Sequence, residues 1–128
     1  MKKLLISAAI TGTAGSKELS PYIPITAEEI AEETVAVAKA GASMVHIHVH
    51  DKDGKPTMDA GYFRDAFEAV KEATEKAGVD IIVNLTTSGG SYVTEERLAH
   101  LKALRPEVCS YDAGTFNWSL GLIFENSP

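Results

Sequence analysis

Four short apolar segments separated by helical patterns are the feature that most constrains the fold of this chain. They cover residues 3–11, 43–49, 80–87 and 108–112, and turn-forming residues bound each of them, as expected for β-strands. Their composition is too apolar for a sheet with one face in water, which favours parallel strands covered by helices. We therefore predict an α/β protein in which residues 1–128 form a single domain.

The three intervening helices have recognisable ends. A capping-box sequence at 26–29 opens the first helix, which ends at Gly41. The second is predicted to run from near Asp59 to Gly78, and the third begins near Thr94 and is stopped by a following proline. The larger apolar residues of these patterns are Ile30, Val35 and Val37 among alanines in the first helix, Phe63, Phe67 and Val70 on one stripe of the second, and Leu98, Leu101 and Leu104 in the third.

Two arrangements of such units compete, an open nucleotide-binding sheet and a closed barrel. The first is disfavoured because Gly12 and Gly15 do not complete a dinucleotide-binding glycine pattern. A long proline-containing loop at 16–24 also follows the first strand, where that fold would start a helix at once. A barrel fits the succession of units, and four units would form half of a (β/α)8 barrel.

The second predicted strand ends in histidines at alternate positions, His46, His48 and His50. Alternate side chains share one face of a strand about 6.5 to 7 Å apart, so two neighbouring imidazoles can converge on one metal ion. His46 and His50 are twice as far apart, which leaves His46 with His48, or His48 with His50. Because histidines without a ligand would be costly to bury on so apolar a strand, we predict a metal site.

Polar clusters also follow the third and fourth predicted strands. Residues 84–91 combine hydroxyl side chains with glycines and could bind a carboxylate or phosphate, although ordinary polar turns have similar compositions. In the segment 111–118, Thr115 and Asn117 are two positions apart and can share a face. All these features lie at the carboxyl ends of successive strands, where α/β folds keep their functional sites.

Charge and cysteine content limit the partners and the compartment. The net charge of -6 disfavours nucleic acid and anionic membranes, and no apolar run is long enough to span a bilayer. The single cysteine, Cys109, excludes an internal disulfide and favours the cytoplasm. Residues 1–10 also have the composition of a short secretion signal, but a buried parallel strand has it too, and we prefer the strand.

Five segments, taken in order, resemble the β-keto acid cleavage enzymes: AAITG at 8–12, PITAEEI at 24–30, GA leading to HIH at 41–48, TTSGG at 86–90 and DAGTFN at 112–117. The resemblance runs through nearly the whole chain. It implies a TIM (β/α)8 barrel, of which this chain supplies about the first four βα units, and a homo-oligomer, usually a tetramer. It also implies transfer of the acyl part of a β-keto acid to coenzyme A, using acetyl-CoA and releasing acetoacetate.

The same resemblance assigns roles to individual residues. It selects His46 and His48 as ligands of Zn²⁺, with a glutamate from later in the family's sequence as third ligand. The substrate-binding residues that it implies are Thr86, Ser88 and Gly89, for the carboxylate, and Thr115 and Asn117, for the rest of the pocket.

Two departures from the family pattern bear on activity. A glutamate that often follows the Thr-Gly of the first strand is missing at 13–15, where Glu18 is nearby but out of register, so the choice of β-keto acid stays open. The third zinc ligand and the family's catalytic arginine and aspartate would lie beyond Pro128. We therefore expect the chain as given to be inactive.

Two other functions fit the same residues. A zinc metallohydrolase would use the histidine pair on the same scaffold, without need of acetyl-CoA. A non-catalytic half barrel, with open strand edges and an uncovered core, would self-associate or be poorly soluble.

Overall fold

The computed structural model describes residues 3–89, 92–119 and 122–125. Along the chain the elements are β1 (Ser7–Ala9), α1 (Ala27–Lys39), β2 (Met44–Ile47), β3 (Val49–His50), β4 (Pro56–Thr57), α2 (Ala60–Ala77), β5 (Ile82–Leu85), α3 (Thr94–Leu104), β6 (Val108–Cys109), β7 (Phe116–Ser119) and β8 (Leu122–Phe124). The four predicted strands and three predicted helices are all present, although each strand is shorter than its apolar segment.

The main sheet is parallel and follows the order β1-β2-β5-β6. Each strand therefore pairs with the strand of the preceding βα unit, and α1 packs on α2 as α2 packs on α3. This confirms the α/β class and the parallel sheet. No helix of the described residues has the length and apolar character needed to cross a membrane.

The helices cover one face of this sheet. Val45, Ile47 and Leu85 lie on that face and are completely buried in the core with helix residues such as Ile30 and Phe63. The opposite face carries Ser7 and Ala9, which are exposed, and His46 and Asn84, which are partly exposed. The described helices thus cover one face of the sheet, and the strands alternate between large apolar residues on that face and small or polar residues on the other.

The predicted capping box of α1 is present, and its glutamate, Glu29, also bonds to the loop that precedes the helix. The Thr26 hydroxyl accepts from the Glu29 N–H at 3.2 Å, and Glu29 Oε2 accepts from the N–H groups of Thr26 and Ile25 at 3.1 and 2.7 Å. Lys17 Nζ donates to Glu29 Oε1 at 2.7 Å. This bond, aided by the two main-chain donors, lowers the pKa of Glu29 to about 2. The loop after β1 is thereby tied to α1.

The second helix begins and ends as predicted. Asp59 is its N-cap, with Oδ1 accepting from the Gly61 N–H at 2.7 Å, and Gly78 closes it in a left-handed conformation at φ 64°. Its predicted stripe faces the core, where Phe63 and Val70 are buried and Phe67 is partly buried.

The structure departs from the sequence pattern in α3 and in two hairpins. Leu101 and Leu104 pack at the rim of the core as predicted, but the completely buried residue of α3 is His100. A search for apolar stripes passes over a buried histidine. The antiparallel pairs β3–β4 and β7–β8 were not predicted, since their strands of two to four residues are too short for a periodicity.

Candidate functional site

The rings of His46 and His48 converge at the carboxyl end of β2. Their Nε2 atoms are 3.1 Å apart, and the ring planes are nearly perpendicular at 79°. Two nitrogens bound to one tetrahedral zinc at 2.0 to 2.1 Å would be about 3.4 Å apart, so the pair needs only a small adjustment to hold a metal ion.

Thr11, which lies two residues after the end of β1, fixes the main chain of His48. Its buried hydroxyl donates to the His48 carbonyl at 2.9 Å and accepts from the His48 N–H at 2.6 Å. β2 ends at Ile47, so this side chain replaces ladder hydrogen bonds at the residue that follows. The hydroxyl therefore holds the second histidine where the sheet no longer can.

The electrostatics of the pair suit metal binding. The pKa of His48 is lowered to about 4, mainly by burial and also by His46 and His50, because positive charges there would repel a third. His48 is therefore neutral near pH 7. A neutral imidazole has a nitrogen lone pair to offer to a metal ion.

His50 lies apart from this pair. It belongs to the separate β3–β4 hairpin, and its buried ring borders a second cavity, beside the first turn of α1. Burial lowers its pKa, while the nearby carbonyls of Gly12 and Gly15 oppose that effect without reaching good hydrogen-bond geometry. The alternation that would place three histidines on one face stops where β2 ends. Of the two possible pairs, the structure brings together His46 and His48.

The third metal ligand is not found in the described part of the chain. No group of three or more histidine, cysteine, aspartate or glutamate residues is placed there to hold a metal ion. The histidine pair would need a further ligand from outside these residues, from water or from substrate.

The predicted anion-binding turn directly follows β5. Thr86 is buried, and its hydroxyl accepts from the Ser88 N–H at 3.0 Å. The Thr87 N–H donates to the Ser110 hydroxyl at 2.9 Å, which ties the turn to the residue after β6. Ser88 is partly exposed, whereas Gly89 is buried. Positions 90 and 91 of the predicted turn lie outside the described residues.

One cleft joins the end of β2 to this turn. Its volume is about 360 Å³. The described residues that line it are Thr13, His48, Val49, Pro56, Thr57, Met58, Ser88, Gly89, Tyr92 and Phe124. The structure thus brings His48 together with Ser88 and Gly89, while Thr86 lies behind the turn and supports it.

The remaining two predicted site residues lie elsewhere. Thr115 precedes the β7–β8 hairpin and Asn117 lies within it, paired with Ile123; both are exposed, and neither lines the cleft. Their assignment to the substrate pocket stays a prediction. Sequence reasoning missed Met58, Tyr92 and Phe124, which have no polar motif to mark them.

Comparison with known proteins identifies the family of the chain. Residues 3–128 match the family model of the beta-keto acid cleavage enzymes. The chain belongs to the β-keto acid cleavage enzyme family. It is 40% identical over 127 residues to the 3-keto-5-aminohexanoate cleavage enzyme of Fusobacterium nucleatum, covering 99% of this chain and 45% of that protein. The family resemblance predicted from the sequence is confirmed.

Two further relatives extend the comparison. The 3,5-dioxohexanoate:acetyl-CoA acetone transferase of Paraburkholderia graminis is 36% identical over 121 residues, covering 93% of this chain and 37% of that protein. The ternary complex of ObcA with C4-CoA adduct and oxalate superposes with a TM-score of 0.69 at 27% identity, covering 85% of this chain and 27% of ObcA. This β-keto acid cleavage enzyme family member spans less than half the length of the curated relatives that it matches.

The arrangement offers two chemical functions at one place. The paired imidazoles provide lone pairs for a metal ion, and the turn provides hydroxyl and N–H donors for an anion. Among the described residues of the cleft, no side chain is an aspartate, glutamate, lysine or arginine. The described part of the cleft in this family member therefore brings imidazole, hydroxyl and main-chain N–H groups together without a charged side chain among them.

Proposed function

We propose that this chain supplies the histidine side of a zinc site in an enzyme that transfers the acyl part of a β-keto acid to coenzyme A, using acetyl-CoA and releasing acetoacetate. The observation that carries the proposal is the 3.1 Å approach of the His46 and His48 Nε2 atoms beside the cleft that Ser88 and Gly89 line. The family membership and the acetyl-CoA-dependent relative support it.

We infer that the whole protein is a TIM barrel in which these βα units form about half of the wall. The sequential strand order and the packing of each helix on the next support this arrangement, as does the likeness to ObcA. A homo-oligomer in the cytoplasm remains our expectation. Activity and assembly are properties of the whole protein, and we expect the 128-residue chain alone to lack turnover.

Each residue of the site would act on a defined part of the substrate. His46 and His48 would hold Zn²⁺, which when bound supplies Lewis-acid polarisation of the β-keto oxygen. The Ser88 hydroxyl and the Gly89 N–H would donate to the carboxylate and keep it away from the geometry that loses carbon dioxide. Thr86 would orient Ser88 through the bond to its N–H.

The walls of the cleft favour an uncharged acyl group. Met58, Tyr92 and Phe124 contribute apolar surface, and the described lining has no acidic or basic residue to pair with a charged group. Moving an ammonium or a second carboxylate into such a place costs hydration energy without a compensating partner. We therefore infer a β-keto acid with a neutral acyl part.

Zinc content and turnover together test the proposal. Zinc would be measured by mass spectrometry in the unsubstituted protein and in the His46→Ala and His48→Ala variants, with His50→Ala as matched control. We expect zinc to be lost in the first two variants and retained in the control. Undiminished zinc in both variants would rule the site out.

The acyl-transfer reaction is tested in the whole protein with β-keto acids of neutral, cationic and dianionic character. We expect turnover that requires acetyl-CoA and favours the neutral acids. Cleavage that proceeds equally without acetyl-CoA would instead indicate a hydrolase.

A further inference from the structure

Two side chains of α3 hold successive carbonyl groups of the turn that follows β5. Arg97 donates to the Thr87 carbonyl from Nε at 3.0 Å and from Nη2 at 2.9 Å. His100 Nε2 lies 2.9 Å from the Thr86 carbonyl. The two residues are three positions apart on the helix and therefore share a face. We call this pair of side chains the α3 clamp.

His100 is held firmly within the clamp. It is completely buried, and its ring stacks on Phe63 with centroids 3.8 Å apart and planes at 14°. A carbonyl oxygen can only accept, so Nε2 must carry the proton, and Nδ1 is an acceptor without a hydrogen-bond partner among the described residues. The stacked ring is thus a donor to the Thr86 carbonyl through Nε2.

The α3 clamp determines which groups of the turn face the cleft. A carbonyl oxygen that pointed into the cleft would repel a carboxylate. The α3 clamp instead holds the carbonyl oxygens of Thr86 and Thr87 on the side of the helix. Because the Thr87 carbonyl is held there, the N–H of the same peptide, that of Ser88, points the other way and donates to the Thr86 hydroxyl. The Ser88 hydroxyl and the Gly89 N–H make no hydrogen bond within the described residues, so they are available to an anion.

Gly89 is the residue that lets Arg97 reach the turn. A Cβ atom at position 89 would lie 2.6 Å from Met58 Cγ and 3.2 Å from Arg97 Cγ. Any side chain at this position would push the arginine stem or the methionine away. The glycine is thus required by close packing on both sides of the turn.

We propose that Arg97 and His100 are positioning residues that orient the turn 86–89 to bind the carboxylate of a β-keto acid. The proposal rests on the function proposed above and adds two residues that do not line the cleft. Their effect should be confined to the carboxylate, because both act on the main chain of the turn and neither lines the cleft.

The first test measures binding of acetoacetate by calorimetry in the whole protein, together with separate KM values for β-keto acid and acetyl-CoA. Arg97→Met and His100→Leu approximately keep the side-chain volume while removing the donors. His100→Gln restores a donor near the position of Nε2. Lys102→Met, at an exposed position of α3, is the control. We expect roughly 10- to 100-fold weaker acetoacetate binding and an equal rise in KM for the β-keto acid in the first two variants. Lys102→Met, zinc content and KM for acetyl-CoA should stay within about twofold of the unsubstituted protein, and His100→Gln should recover most of the loss.

A second readout separates orientation of the turn from general loss of stability. Hydrogen exchange of the Ser88 amide should accelerate in Arg97→Met and His100→Leu, whereas amides of β2 should be unchanged. If the unsubstituted protein binds acetoacetate and both variants bind it equally well, the positioning role is wrong and the proposed function stands. If the unsubstituted protein fails to bind acetoacetate, the proposed function is wrong and the role of the α3 clamp with it.

Discussion

Buried or half-buried histidines lie at the end of β2 and against the turn that follows β5, and they serve opposite purposes. His46 and His48 turn their nitrogens toward each other beside an open cleft, whereas His100 directs its N–H into the main chain behind the turn. Burial is greater for His100 than for either member of the pair. The depth of a histidine therefore does not reveal its role, but the group that its Nε2 atom faces does.

The largest expected effect separates the two histidine environments by zinc affinity. His46→Gln should weaken zinc binding by more than about 100-fold, since loss of a direct ligand should exceed the 10- to 100-fold typical of supporting residues. His100→Gln should change zinc affinity by less than about twofold. Competition against a chromophoric chelator measures both zinc affinities. Similar losses in the two variants would contradict the different roles of His46 and His100.

A smaller effect is expected where the main chain of His48 is fixed. Thr11→Val keeps the shape of the side chain but removes the hydroxyl that joins the His48 N–H and carbonyl. Zinc affinity should fall about tenfold, and the free energy of unfolding should fall by about 1 to 3 kcal/mol, because two polar groups lose their partner. Thr13→Val, at an exposed position nearby, is the control; equal zinc affinity in both variants would contradict this account.

The pH dependence of stability should reveal both kinds of histidine in the metal-free protein. Burial lowers the pKa of His100 and lowers that of His48 to about 4, so the unfolded chain binds protons near pH 6.5 that the folded chain does not. Stability from these residues is complete above pH 6.5 and falls as the pH decreases from there toward 4. Urea unfolding at pH 7.5 and 5 measures it, and His100→Gln should flatten the dependence. A stability that is constant over this range would be inconsistent with two buried neutral imidazoles.

The smallest effect is expected at the surface, in the loop after β1. Glu29→Gln should lower the free energy of unfolding by about 0.5 to 1 kcal/mol near pH 7, because the Lys17 pair is more than a third exposed and screened by solvent. The depressed pKa of Glu29 gives stability that is present above pH 4.5 and lost as the pH falls toward 2. Glu33→Gln, an exposed substitution on the same helix, provides the comparison. An equal change in both variants would mean that the Lys17–Glu29 pair does not contribute to stability.

Sequence reasoning succeeded where the decisive interactions are local. The capping residues Thr26 and Glu29 are three positions apart, and His46 and His48 are two apart. Within one helix or strand, such a spacing largely determines how the two side chains lie relative to each other. It failed where distant segments meet. The contact of Arg97 with Thr87 depends on how α3 packs, and nothing in the spacing marks it.

The same limit applies to the fold and to the walls of the cleft. The parallel sheet and its helices follow from repeated apolar segments, but the two hairpins are too short to leave a pattern. His100 was missed because a buried polar ring interrupts an apolar stripe. Met58, Tyr92 and Phe124 were missed because apolar residues from three distant segments become a wall only after folding.

The hydrogen bonds of the Thr11 hydroxyl to the His48 main chain join the loop after β1 to the end of β2. Without these bonds, substitutions in the loop would leave the histidine pair unchanged. Thr11 lies near the start of the loop between β1 and α1, so remodelling that whole loop to admit a different acyl chain would also disturb one of the proposed zinc ligands. A lineage that diversifies its substrates would need to keep this single hydroxyl unchanged while the residues after it vary. Libraries aimed at new specificity should accordingly begin one position later, at Gly12.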